Sequence, residues 1–247
     1  MRRETQNLLL LLLGGALLKL GLSGDHVRYV KAAQLPWLLG AGAVMVLLAL
    51  LAIARDVRGD TGDVRGDAMR DGVDDHGHEG GSRSAWMMLL PVCAIFLVAP
   101  PALGADSVRR EQSAVPPAPE ESRFPPLPPG PAPELSMSEY VTRAVWGGDA
   151  ELARRPVRLR GFVVHPAPGT TQLARMRISC CAADATAVRV DLTGQAARQV
   201  GRAPADAWFE ITGTARPGSA GQHDEYVPEV RVSAVRPIAE PADTYEY

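Results

Sequence analysis

Residues 32–54 read AAQLPWLLGAGAVMVLLALLAIA, a run without a charged side chain, in which only Gln34 and Pro36 interrupt the apolar character. A helix needs about 20 mainly apolar residues to cross a ~30 Å hydrocarbon core, and this stretch meets that length outright. Two other segments share its character. Leu8–Leu22 is shorter and holds Lys19, which can snorkel toward the interface. Trp86–Ala105 carries Pro91, Pro100 and Pro101, residues a membrane helix tolerates when neighbours satisfy the freed carbonyls. Beyond Ala105 the chain never becomes lipid-like again. The layout predicts an α+β membrane protein. Residues 1–54 form a transmembrane hairpin, 55–84 a loop, 85–105 a third transmembrane helix, 106–134 a proline-rich linker and 135–247 a small β-barrel domain.

Arg2 and Arg3 before the first apolar run also fit a cleaved signal peptide, but no small-x-small cleavage pattern follows before Asp25. Arginines set the orientation. Arg2, Arg3, Arg55, Arg58, Arg65, Arg70 and Arg83 fall on one side, against Arg28 and Lys31 in the hairpin on the other. The positive-inside rule then places the N-terminus in the cytoplasm and the C-terminal domain outside it, although Arg109 and Arg110 pull the other way. The net charge of −2, with no basic stripe or interleaved aromatics, sets nucleic acid aside as a partner.

The 55–84 loop repeats Asp-Val-Arg-Gly-Asp at 56–60 and 63–67 and is too polar and glycine-rich to bury a core. An adhesion reading of its Arg-Gly-Asp triplets conflicts with a cytoplasmic placement. Its end, Asp74-Asp75-His76-Gly77-His78-Glu79, offers imidazole and carboxylate ligands for zinc or another divalent cation. A solvated linker that happens to hold two histidines is the plain alternative. The next segment holds nine prolines between 116 and 133, a composition that favours a semi-rigid polyproline II spacer.

In the last domain, Ser136-Met-Ser-Glu139 has capping-box spacing and opens a helix running to Trp146 and ending at Gly147-Gly148. Strands follow at Val157–Val164, Leu173–Cys181, Ala187–Leu192, Trp208–Ala215 and Val227–Ile238, separated by Gly/Pro turns. Five short strands, with glycine in the first (Gly161) and fourth (Gly213), predict a closed Greek-key barrel of the OB-like type. A helix or turn within Thr193–Val200 would connect its third and fourth strands.

Ile178-Ser-Cys180-Cys181-Ala-Ala-Asp184 is the most specific string in the chain. Adjacent Cα atoms lie about 3.8 Å apart, whereas disulfides want roughly 4.4–6.8 Å, so a bond between these two would be strained. On a regular strand their side chains point to opposite faces; chelation by both therefore requires a bulge or a strand end. Three readings stand open: one cysteine packed in the core with the other half-exposed at the rim, a redox-active vicinal pair in an oxidising compartment, and a metal site using thiolate with Asp184, or with His165 or His223. No nucleophile–base motif is present, and no enzymatic activity is expected.

Several of these strings together resemble the YcgQ-like family of predicted permease subunits. They are the membrane hairpin, the His-containing loop before Trp86-Met-Met-Leu-Leu-Pro91, the exit Ala99-Pro-Pro-Ala-Leu-Gly-Ala105, the string Arg177-Ile-Ser-Cys-Cys-Ala-Ala-Asp184 and the ending from Pro237 to Tyr247. The resemblance implies a partner, a multi-spanning permease of the YraQ-like kind, and supplies no catalytic residues. The expectation is a membrane-anchored accessory subunit whose outer domain binds or gates a solute, with a metal ion as the candidate. The alternative is a stand-alone extracytoplasmic metal-binding or thiol-redox protein.

Overall fold

The computed structural model describes residues 3–60, 101–111, 118, 124–147, 149–221 and 225–247. Two units are present: one formed by 1–26 with 32–101, the other by 27–31 with 102–247. The third expected transmembrane segment, apart from residues 101–105, lies outside the described residues, as do His76, His78, Gly148 and His223.

In the first unit, helix α1 (Arg3–Ser23) runs against α2 (Leu35–Asp60). α1 holds a span long and apolar enough to cross a membrane, Gln6–Ser23, and α2 with the 3₁₀ turn before it holds another, Ala32–Arg55; the 21 residues of α1 rise about 31 Å. Small residues bring the helices together. A Cβ added at Gly14 would lie 2.9 Å from the Gly42 carbonyl oxygen and 2.9 Å from a Val46 methyl, while Leu47, Leu48, Leu50 and Leu51 stay exposed. Without a hydrophobic force between helices in lipid, such close backbone approach is what drives association. Gly14→Leu is therefore expected to open the hairpin, read as loss of a cross-link between cysteines introduced on the facing helices.

The second unit is a closed five-stranded barrel. Strands β1 (Val157–Val164), β2 (Gln172–Arg177), β3 (Thr186–Thr193), β4 (Trp208–Ala215) and β5 (Glu229–Pro237) pair in the cyclic order β1-β2-β3-β5-β4-β1. All contacts are antiparallel except β3 with β5. Alternation along β1 sends Val157, Leu159 and Val163 inward, where they join Leu173, Val190, Ile211, Val230 and Val232. The other face of the same strands, with Phe162, Val164, Ala174, Met176 and Trp208, is covered by α3 (Ala105–Arg110) through Ala105 and Val108 and by Tyr245. The glycines stand where strands cross closely: a Cβ at Gly161 would meet the Ala174 carbonyl oxygen at 2.5 Å, and one at Gly213 the Arg231 carbonyl oxygen at 2.6 Å, beside a register shift.

Helix α4 (Met137–Trp146) plugs the barrel with Met137, Tyr140 and Val141. Ser136 caps it by accepting from the Glu139 amide at 3.0 Å, and Gly147 ends it at φ 100°. The second half of the expected capping box is replaced. Glu139 turns to Arg143 (2.8 Å), and the first-turn amides of Met137 and Ser138 instead donate to the Glu246 carboxylate at 2.7 and 2.8 Å. A carboxylate at a helix N-terminus satisfies orphan donors and meets the positive end of the dipole. Glu246→Ala is expected to cost about 1–2 kcal/mol, measured as a lowered unfolding midpoint.

Three elements escaped the sequence reading: α3 (Ala105–Arg110), which packs on the barrel where the end of a third span and the start of a linker were expected, α5 (Asp149–Arg154), which buries Leu152, and the two-residue strand β6 (Tyr245–Glu246), parallel to β2. The expected connector helix is α6 (Ala197–Val200). Residues 124–134 of the proline-rich stretch lie along the barrel. Polyproline II leaves its carbonyls without internal partners; here arginines fill them, Arg143 at Pro125 (2.9 Å), Arg155 at Pro128 and Gly130 (2.6 Å), and Arg158 at Ala132 (3.1 Å).

Candidate functional site: the cysteine loop

Strand β2 stops at Arg177, four residues short of the Cys181 end expected from the sequence. Its last backbone bond passes to the C-terminal tail, Ile178 donating to the Glu246 carbonyl at 2.9 Å. Leaving the strand releases Cys180 and Cys181 from the alternation that would send their side chains to opposite faces. A 3₁₀ turn, Ala182–Asp184, follows and swings Asp184 back over the loop. The Asp184 carboxylate accepts from the Ser179 amide at 2.9 Å and the Cys180 amide at 2.8 Å, while its own amide donates to the Cys181 carbonyl at 3.0 Å.

This self-closed loop gathers three ligand atoms. The two sulfurs lie 3.6 Å apart, as free thiols, and both are within 4.8 Å of an Asp184 carboxylate oxygen and of each other. Cys180 is exposed, and Cys181 and Asp184 are half-buried. Tetrahedral zinc with Zn–S bonds of ~2.3 Å places two sulfurs about 3.8 Å apart, whereas a linear S–metal–S arrangement would need about 4.6 Å. The observed separation fits the tetrahedral bite.

The electrostatics favour the thiol over the thiolate. The Cys180 thiol is pushed up to about 11 by its hydrogen bond to Asp184 and then by the neighbouring Cys181 sulfur. The Asp184 carboxyl is held below its ordinary value by the Cys180 thiol and the Ser179 amide. A carboxylate beside a thiol disfavours a lone thiolate, and a dication at the centre of the three would reverse that by neutralising them together.

His165 is not part of this group. Strands β1 and β2 form an antiparallel hairpin with Val164 opposite Gln172, so the end of β1 meets the start of β2. Cys180 lies past the other end, a strand length of roughly 20 Å away. The His165 Nε2 instead bonds the Ala203 carbonyl at 3.0 Å. Thus Cys180, Cys181 and Asp184 come together, while His76, His78 and His223 lie outside the described residues.

The sequence reading also missed a second chain segment at this loop. Val27–Lys31, which joins α1 to α2 along the chain, belongs to the barrel's unit. Val30 forms an antiparallel bridge with Cys181; the Lys31 amide donates to the Cys180 carbonyl at 3.1 Å and the Ala182 amide to the Tyr29 carbonyl at 2.7 Å. Nothing local in the sequence signals a pairing across some 150 positions.

No curated protein and no solved structure matches the chain. Residues 149–247, which hold all five barrel strands, the cysteine loop and the C-terminal tail, match the family described as the DUF1980 C-terminal domain.

Proposed function

We propose that this protein is a non-enzymatic, membrane-anchored accessory subunit of a permease, whose extracytoplasmic OB-like barrel holds a divalent metal ion, zinc by its donor set, on the Cys180–Cys181–Asp184 loop. The observation that carries the reading is the convergence of two sulfurs and a carboxylate oxygen within 4.8 Å of one another. The barrel's cyclic pairing order, with β3 parallel to β5, supports the OB-like comparison. Two helices with long apolar spans support the anchor, and the family resemblance supports the permease partner. The test is zinc competition against a chromophoric chelator using the full chain in detergent micelles. One zinc per chain is expected, with binding abolished in Cys180→Ser/Cys181→Ser; equal binding by the double variant would defeat the proposal. Recovery of the chain without any multi-spanning partner from native membranes would remove the subunit role alone.

A thiol-redox role is less well supported. At neutral pH a thiol raised from 9.0 to about 11 holds about a hundredfold less thiolate, the attacking species in disulfide exchange. Alkylation of Cys180 is accordingly expected to run far slower than that of free cysteine at pH 7. Topology follows from the arginine distribution: an alkaline phosphatase fusion after Tyr247 is expected to be active and one within 55–84 silent. The reverse pattern would exchange the two sides.

A further inference from the structure

We propose that the cation site is composite: Cys180, Cys181 and Asp184 supply the ligand atoms, and the α1–α2 connector Val27–Lys31 supplies the backbone frame that sets their positions, so that occupancy of the loop and order in the connector are linked. This rests on the cation reading above but makes a claim of its own about the connector.

The frame is visible bond by bond. The two hydrogen bonds, Lys31 N–H to the Cys180 carbonyl and Ala182 N–H to the Tyr29 carbonyl, flank the Val30–Cys181 pair on either side. That pattern defines the non-hydrogen-bonded type of antiparallel pair, in which opposing Cα atoms approach to about 4.5 Å and their side chains share a face. Val30 therefore stands opposite Cys181, the half-buried member of the cysteine pair. On the loop's other side Asp184 takes the Ser179 and Cys180 amides. The backbone around the two cysteines is thus held from both sides, by its own carboxylate and by a remote segment.

The connector is in turn held by the C-terminal tail. The Tyr245 phenol, in a buried ring position, donates to the Arg28 carbonyl at 2.9 Å and accepts from the Leu103 amide at 3.1 Å. Arg175, stacked on Trp208 at 5.0 Å, donates to the Tyr245 carbonyl at 2.9 Å. Lys31 lies over the Tyr247 ring, 5.0 Å from its centroid. The tail is thereby fixed to β2 and fixes the connector to the loop that follows β2. Because the same five residues are covalently the turn between α1 and α2, a change of order at the cysteine loop is also a change at that turn. Linkage makes this reciprocal: whatever holds the connector favours the cation, and the cation holds the connector.

Hydrogen exchange on the full chain in detergent micelles, read at the amides of Lys31 and Ala182, tests the proposal. Alkylating both cysteines is expected to speed exchange at these two amides at least about fivefold, leaving barrel amides such as Ile211 unchanged, and added zinc to slow it by a similar factor. The reciprocal arm uses two variants. Lys31→Pro removes the donor to Cys180, and Tyr245→Phe removes the bonds to Arg28 and Leu103 while keeping the ring. Each is expected to weaken zinc binding about five- to tenfold. Unchanged exchange on alkylation, together with wild-type zinc affinity in both variants, overturns the composite site. Should zinc fail to bind the unmodified chain, the alkylation arm still decides: coupled exchange upholds the frame and sinks the cation reading alone, and uncoupled exchange sinks both.

Discussion

Serine in place of Cys181 is expected to weaken zinc binding at least about a hundredfold, the upper end of what losing even a supporting group costs a metal site. The reason is the number of ligands. Among the described residues the site offers three protein atoms, and no histidine joins the group. Affinity is also expected to rise with pH. A zinc-bound thiolate must shed its proton, and the Cys180 thiol, pushed up to about 11, still carries one across the neutral range. Each pH unit below that value then costs about tenfold in apparent affinity for that one proton. Asp184→Asn gives a sharper discrimination, because it moves two readouts in opposite directions. Removing the carboxylate charge weakens the cation's hold and at the same time frees the Cys180 thiol to ionise. Zinc affinity is expected to fall while alkylation of Cys180 speeds up. A merely structural role for Asp184 would loosen the loop without that pairing of signs, and unchanged zinc affinity in Cys181→Ser would end the metal reading. The measurements are chelator competition at several pH values and mass-resolved alkylation rates.

How much of this was legible beforehand depends on the range of the interactions. Local signals read well. The Ser136 cap, the Gly147 stop and the span of β1 and β4 all follow from alternation and capping chemistry. The cysteine loop was legible as a requirement: two neighbouring thiols can chelate only off the strand, and β2 does end before them. What failed was direction. His165 ends the strand next to β2, which makes it a natural candidate, but an antiparallel hairpin puts that end at the far side of β2. The long-range partners gave no local trace at all. Glu246 sits 109 positions from the Met137 amide it receives, and the Lys31–Cys180 pairing spans the linker and the apolar segments. In such cases the backbone donor is satisfied by whatever group the fold delivers, and residue type carries no clue to which.

Gly161→Ala is expected to destabilise the barrel by about 3 kcal/mol, at the upper end of ordinary overpacking. Gly161 sits in β1 opposite Phe209 of β4, at a point where β2 crosses on the other side. A methyl there would stand 2.5 Å from the Ala174 carbonyl oxygen and 3.0 Å from the Leu173 side chain. The first neighbour is backbone and cannot rotate away; moving it means spreading β1 from β2, whose pairing runs through Phe162–Ala174. In a closed barrel that displacement cannot be absorbed at a free edge, since every strand is paired on both sides. The effect should therefore be felt throughout the unit formed by 27–31 and 102–247, lowering its thermal midpoint by roughly 6–12 °C at that size. Gly169→Ala separates sterics from backbone preference. Gly169 has φ +83° in the β1–β2 turn with open space at its Cβ, so alanine there carries only the left-handed penalty, about 1 kcal/mol. Thermal unfolding of the two variants, followed by circular dichroism in detergent, should rank Gly161→Ala well below Gly169→Ala. The opposite order would mean that β1 and β2 can part at Gly161 without loss, and that closure of the barrel is not what makes this glycine necessary.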